Sequence, residues 1–154
     1  MALTFWGPVE LRLATERATE LVDVTGAVDT AIAESGIDRG SAQVFCPHTS
    51  CGLAITEMED GLHEDFYALM DELAPPDREY RHDDLVRRTQ NIEPDERPNG
   101  WSHLRALLVT QPTVLLPVTS GRLQLGTWQR LFLVELDGPR PGRRLHVQAW
   151  GVAS

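Results

Sequence analysis

Leu131-Phe132-Leu133-Val134-Glu135-Leu136-Asp137-Gly138-Pro139-Arg140 is the stretch that decides the fold class. It opens as a strand by content and closes on the turn signal Asp-Gly-Pro. Segment 144–150 follows, with Leu145, Val147 and Ala149 alternating against Arg144, His146 and Gln148, the period of a half-buried strand. Upstream, 114–118 reads as a strand, 119–122 as a turn and 123–125 as the return. A doubly wound parallel sheet would need β-α alternation after residue 110, and none is present. The expected class is therefore α+β: one compact domain over 1–154, an antiparallel or mixed sheet with a C-terminal meander, and two or three helices packed on one side.

The N-terminal half supplies the helices. Leu11 and Leu13 alternate with Glu10 and Arg12 as an opening strand, interrupted before that by Trp6-Gly7-Pro8. Leu21, Val24, Val28 and Ile32 then recur at helical spacing and stop at Ser35-Gly36, a glycine where a helix C-terminus favours one. Segment 41–46 reads as a short strand with 53–56 as its hairpin partner. Leu62, Phe66, Leu69 and Leu73 form one helical stripe, with Asp60 as the expected cap and Ala74-Pro75-Pro76 as the stop. The polar run 77–100 lacks sustained periodicity, and a loop of that length in a compact domain is usually functional. A short helix over 101–109 precedes the strands already described.

Composition removes several function classes. At 154 residues with a formal net charge of −9, the chain is suited neither to broad contact with nucleic-acid phosphates nor to an anionic membrane surface. All 14 basic residues are arginine, which excludes a Schiff-base lysine and the lysine of a phosphate-binding loop. An anionic substrate would have to be held by arginine, whose planar fork suits phosphate or carboxylate. Cys46 and Cys51 are too few for a disulfide framework, and their C-x4-C spacing lacks the second pair of a structural zinc site. Neither a basic-then-apolar leader pattern nor an apolar run of about eighteen residues is seen, so the expected location is cytoplasmic.

The chemistry-bearing stretch is Cys46-Pro47-His48-Thr49-Ser50-Cys51-Gly52-Leu53, which puts a histidine and two hydroxyls where a strand should end. Residues on loops held by a rigid scaffold carry chemistry more often than residues inside it. Two more histidines lie in polar, turn-rich contexts, His82 in Tyr80-Arg81-His82-Asp83-Asp84 and His103 in Ser102-His103-Leu104. The three are expected to converge, although their wide separation along the chain does not establish it. His63, on the polar side of its helix, and His146, outward on the last strand, are not assigned to the site.

Taken together, His48-Thr49-Ser50 with Ile55-Thr56-Glu57, Tyr80-x-His82-Asp83, Ser102-His103-Leu104, and Gly126-Thr127-Trp128-Gln129 followed by Glu135 and Asp137-Gly138-Pro139-Arg140 resemble the YjbQ-like family, often labelled secondary thiamine-phosphate synthase. The resemblance runs from about residue 10 to 151. It implies a homotrimer with a site near the subunit boundary, lined by His48, His82 and His103, that in some members holds a metal. It also implies a weak transferase activity joining hydroxymethylpyrimidine diphosphate to a thiazole phosphate. Departures from the family pattern are Thr56-Glu57-Met58, Gly61 and Thr110-Gln111-Pro112.

On this reading His48, His82 and His103 are metal ligands, and zinc is the divalent cation that three imidazoles suit. Magnesium would enter with a diphosphate substrate. His48, Glu57 and Asp83 are the candidate catalytic groups, as bases or as carboxylates orienting imidazoles. Thr49, Ser50, Trp128 and Arg140 are the candidate contacts to a small phosphorylated molecule, with Arg122 second to Arg140. Each has an ordinary alternative: capping for the hydroxyls, core packing for Trp128, a small buried thiol for Cys51, and an ion pair with Glu135 or Asp137 for Arg140. Two further functions remain beside the transferase: a metal-assisted hydrolase of a small phosphate ester, and a non-catalytic trimeric binding protein for a small anion or metal.

Overall fold

The computed structural model describes residues 2–153. The elements run β1 (Thr4–Thr15), β2 (Glu20–Asp23), α1 (Thr25–Glu34), β3 (Ile37–Phe45), β4 (Cys51–Glu57), α2 (Asp60–Leu73), a 3-10 turn (Arg81–Asp83), α3 (Gly100–Val109), β5 (Thr113–Thr119), β6 (Arg122–Leu123), β7 (Gln129–Glu135) and β8 (Arg140–Ala153). They make an α+β domain of two antiparallel sheets, ordered β1-β8-β3-β5-β6 and β2-β7-β4.

The two sheets share one core. Ala42, Val44, Val114, Leu116, Leu145 and Val147 from the larger sheet pack with Leu53, Leu131 and Leu133 from the smaller one, and Val28, Ala31 and Ile32 of α1 join them. The outer face of the smaller sheet is covered separately: Val134 and Leu136 pack against Met70 of α2 and Ala106 of α3. β7 is thus apolar on both faces, which is why 131–136 reads as a nearly continuous hydrophobic run.

Three expectations are corrected. The segment after β7 is no meander: β8 returns to the centre of the larger sheet, between β1 and β3, while β7 lies in the smaller one. Residues 53–56 are not the hairpin partner of 41–46, because β3 pairs with β5 and β8 and β4 pairs with β7. The five residues between them carry the chain across from one sheet to the other, so the histidine loop spans the end of the sandwich. Leu21 belongs to β2 rather than to a helix, which begins only at Thr25. Alternation and helical spacing overlap at 21 and 24, and pairing with Val134 decides in favour of the strand.

Elsewhere the cap of α2 is one residue off. Glu59, not Asp60, caps α2, its carboxylate accepting from the Gly61 and Leu62 N–H groups at 2.8 and 2.7 Å. Trp6-Gly7-Pro8 does not interrupt β1 but shifts its register against β8 between Trp6 and Val9.

Candidate functional site

Segment 110–112 ties down both ends of the histidine loop. The Cys46 N–H donates to the Pro112 carbonyl at 2.8 Å, and Leu53 and Gln111 exchange two backbone bonds, each 2.8 Å. Gly52 leaves the room this needs, since a Cβ there would sit 2.2 Å from Thr110 Oγ1. The loop is fixed from the larger sheet as well. Arg143 donates from Nη2 to Ser50 Oγ at 3.1 Å, and the Arg144 backbone N–H donates to His48 Nε2 at 3.0 Å.

Arg143 is itself buried, with Nη2 and Nε donating to Glu135 at 2.6 and 2.7 Å. Glu135 also accepts from Thr15 Oγ1 and from the Leu136 and Asp137 N–H groups. A buried ion pair held by two hydrogen bonds, its carboxylate also accepting from Thr15 and two backbone N–H groups, is a rigid mount. Neither residue was singled out from sequence as a site residue. The signal was there: each falls in phase with the inward apolar residues of its strand, which places a charge in the core and demands a partner.

His82 and His103 are the two histidines that meet, with ring centroids 4.6 Å apart and planes at 56°. Asp83 brings them together. Its Oδ1 accepts from the Asn99 and Gly100 N–H groups, both at 3.0 Å, and so caps the helix that carries His103. Gly100 lets the turn come this close, since a Cβ there would lie 2.7 Å from Tyr80 Cβ and 3.1 Å from His82 Cβ. The expected role of Asp83 as a base or imidazole partner is thus taken by capping.

His103 Nδ1 lies 3.0 Å from the Thr49 carbonyl. A carbonyl only accepts, so Nδ1 carries the proton and Nε2 keeps its lone pair. Burial, then the neighbouring His82, holds its pKa below the ordinary value of 6.5, which keeps the ring neutral. His48 is also lowered, by burial and then by Arg143 and Arg144. Its Nε2 lone pair is already used by the Arg144 N–H.

The trio expected to share a metal does not converge. Arg88 lies against His82, with Nη1 2.9 Å from Nε2 and 3.2 Å from Nδ1, and pairs with Glu96. Among the described residues no three His, Cys, Asp or Glu side chains are grouped closely enough to hold a metal ion. His103, with Nδ1–H on a carbonyl and Nε2 open, has the form of a ligand or a base. As arranged here, the three together do not fit one shared ion.

Two chambers flank His103. One, of about 390 Å³, is lined by His48, Thr49, Cys51, His103 and Leu107. The other, of about 890 Å³, is lined by Thr49, Ser50, His82, His103, three arginines and, from the long polar loop, Asn91, Glu93, Pro94, Asp95 and Glu96. Those arginines are Arg97, Arg140 and Arg143. Arg97 and Arg140 both pair with the buried Asp137, whose carboxyl stays below its ordinary range because Arg140 and the Asn99 amide outweigh its burial. The ion pair foreseen for Arg140 is therefore present. One carboxylate thus lies between two guanidiniums, and Glu93, Asp95 and Glu96 line the same chamber, so its wall carries both signs of charge.

The remaining sequence candidates lie elsewhere. Glu57 is exposed at the end of β4, where its carbonyl accepts from His63 Nε2. Trp128 is 71% exposed and lines neither chamber, and Arg122 is exposed on β6.

The sequence matches the family described as UPF0047 protein YjbQ-like over residues 9–152. This chain belongs to the YjbQ-like family. A UPF0047 protein of Archaeoglobus fulgidus is 38% identical over 141 residues, covering 92% of this chain and 99% of that protein. YugU of Bacillus subtilis, also described as a UPF0047 protein, is 33% identical over 131 residues, covering 84% of this chain and 89% of the relative. Among solved structures, a YbjQ-like protein of unknown function from Sulfolobus solfataricus superposes with a TM-score of 0.84 at 32% identity, covering 98% of this chain and 100% of that one. The YjbQ-like assignment thus rests on sequence and fold alike, and it carries no settled reaction.

Proposed function

We propose that this YjbQ-like protein is a small enzyme acting on a phosphorylated small molecule in the larger chamber. The observation that carries the reading is the pairing of His103, neutral with Nε2 open, with the guanidiniums of Arg97 and Arg140 on the same chamber wall. A neutral imidazole can take a proton from a reacting group, and partly exposed guanidiniums can hold phosphate oxygens in a bidentate grip. Arg143 fixes Ser50, and the Thr49 carbonyl fixes the imidazole, so both sides of the chamber are set before a ligand arrives. The literal reaction is the family-like transfer that joins hydroxymethylpyrimidine diphosphate and thiazole phosphate with release of pyrophosphate.

Zinc or another divalent cation enters only as an expectation. His103 and, once Arg88 moves away, His82 would be its imidazole ligands, and its chemistry would be to polarise a phosphoryl or leaving-group oxygen. Association into a homotrimer is proposed on the exposed apolar side of α3, where Leu107 and Leu108 are 79% and 65% exposed.

The deciding experiment titrates the protein with inorganic pyrophosphate and, separately, assays thiamine phosphate formation from the two phosphorylated precursors. Arg140→Ala is expected to weaken pyrophosphate binding at least tenfold, and His103→Gln to leave binding intact while abolishing turnover. Binding without turnover in the wild type would reduce the protein to an anion carrier. Neither binding nor turnover would end the reading. Elemental analysis of untagged protein decides the cation: about one zinc per chain, lost in His103→Ala, is the result that would bring metal back into the chemistry.

A further inference from the structure

The proposed chemistry leaves two nucleophiles unused. Cys46 and Cys51 stand at the two ends of the histidine loop, are free and buried, and bring their sulfurs to 3.6 Å. Cys51 also lines the smaller chamber beside His48 and His103, so a small reagent reaching that chamber meets Cys51, with the Cys46 sulfur directly behind it. From this juxtaposition we propose that Cys46 and Cys51 are a reversible dithiol–disulfide site, oxidised by a small hydroperoxide, that closes a ring around His48, Thr49 and Ser50.

The geometry needs little movement. The sulfurs must approach to about 2.05 Å, and both belong to one short loop whose ends are already clamped by residues 110–112. The two thiols are unequal. Cys51 lines the smaller chamber, whereas Cys46 lines neither chamber and sits behind it, 1% exposed. Cys51 is therefore the thiol that meets the hydroperoxide and Cys46 the resolving thiol.

The Cys51 sulfur attacks the outer oxygen of the hydroperoxide. The S–O bond forms, the O–O bond breaks and the alcohol, or water from hydrogen peroxide, departs with a proton. The Cys46 sulfur then attacks the Cys51 sulfur. The S–S bond forms, the S–O bond breaks, and the oxygen leaves as water with the Cys46 proton. Net, two thiols and one hydroperoxide give one disulfide, one alcohol and one water. Because the Thr49 carbonyl holds the His103 proton, closing this ring would also move the group that fixes the His103 imidazole.

The test treats the full-length, reduced protein with hydrogen peroxide and reads intact mass and thiol count. The expected result is loss of two hydrogens per chain, no remaining titratable thiol, a Cys46–Cys51 cross-linked peptide, and recovery with dithiothreitol. Cys46→Ser is expected to stop at a sulfenic acid on Cys51, trapped by dimedone, while Cys51→Ser leaves Cys46 unreacted. Thiols that stay reduced in the folded wild type, chain-to-chain dimers, or gain of two or three oxygens in place of the cross-link would each overturn the proposal. The wild-type readout stands even if a variant fails to fold.

Discussion

His103 shows how one side chain is tuned by its surroundings. Its Nδ1 proton is committed to the Thr49 carbonyl, and burial then opposes a second proton on Nε2. His103, like His48, titrates lower in the folded chain than the ordinary 6.5, so the unfolded chain binds more protons in that interval. Stability is therefore complete above 6.5 and declines as pH falls through the window down to the folded value. Urea unfolding followed from about pH 7 to about pH 5 should show that decline, and His48→Gln with His103→Gln should flatten it. Glu135 makes the opposite case, a charge that cannot be removed cheaply. Glu135→Ala strands the buried Arg143 guanidinium and is expected to cost about 3–5 kcal/mol in chemical denaturation. His48, Thr49, Ser50 and Arg140 could be picked out as candidates because polar groups at strand ends stand out, and His82 and His103 because they lie in polar, turn-rich stretches. Arg97, Arg88 and Glu96 could not, because a polar loop without periodicity gives no hint of which charges turn inward.

Among the elements, the junction between the 3-10 turn and α3 controls the site. Asp83 and Gly100 act as a joint that sets His82 against His103. Asp83→Ala should lose about 1 kcal/mol as a missing cap. Gly100→Ala pushes the turn off the helix. The expected outcome is loss of the nuclear Overhauser contacts between the two imidazoles while amide protection in β3 and β8 is retained. Helices α2 and α3 were readable from sequence within a residue or two, since an apolar stripe and a stop signal are local properties. The assignment of β4 to the smaller sheet was not, because a strand's pattern states which faces are buried and leaves its partner open.

For the whole molecule, burial is uneven. α3 covers the smaller sheet with Ala106 yet shows Leu107 and Leu108 to solvent, beside the smaller chamber. If a second and third copy cover that face, sedimentation will give a trimer, and the double change Leu107→Glu, Leu108→Glu will give a folded monomer. A wild-type monomer would remove association from the account. The α+β class was legible because the missing β-α alternation excludes the main competitor, whereas the splitting into two sheets rests on long-range pairing that local pattern does not encode.

The place of β8 has a consequence for how the chain is made. Its residues 140–153 lie between β1 and β3, and the bond from the Arg140 N–H to Thr15 Oγ1 closes a separation of 125 residues. At about 5–20 residues per second, β1 therefore leaves the ribosome roughly 6–25 s before its strand partner β8 exists. During that interval β1 is an unpaired strand open to any neighbouring nascent chain, so yield on expression should depend on translation rate and on chaperones that hold the N-terminal segment.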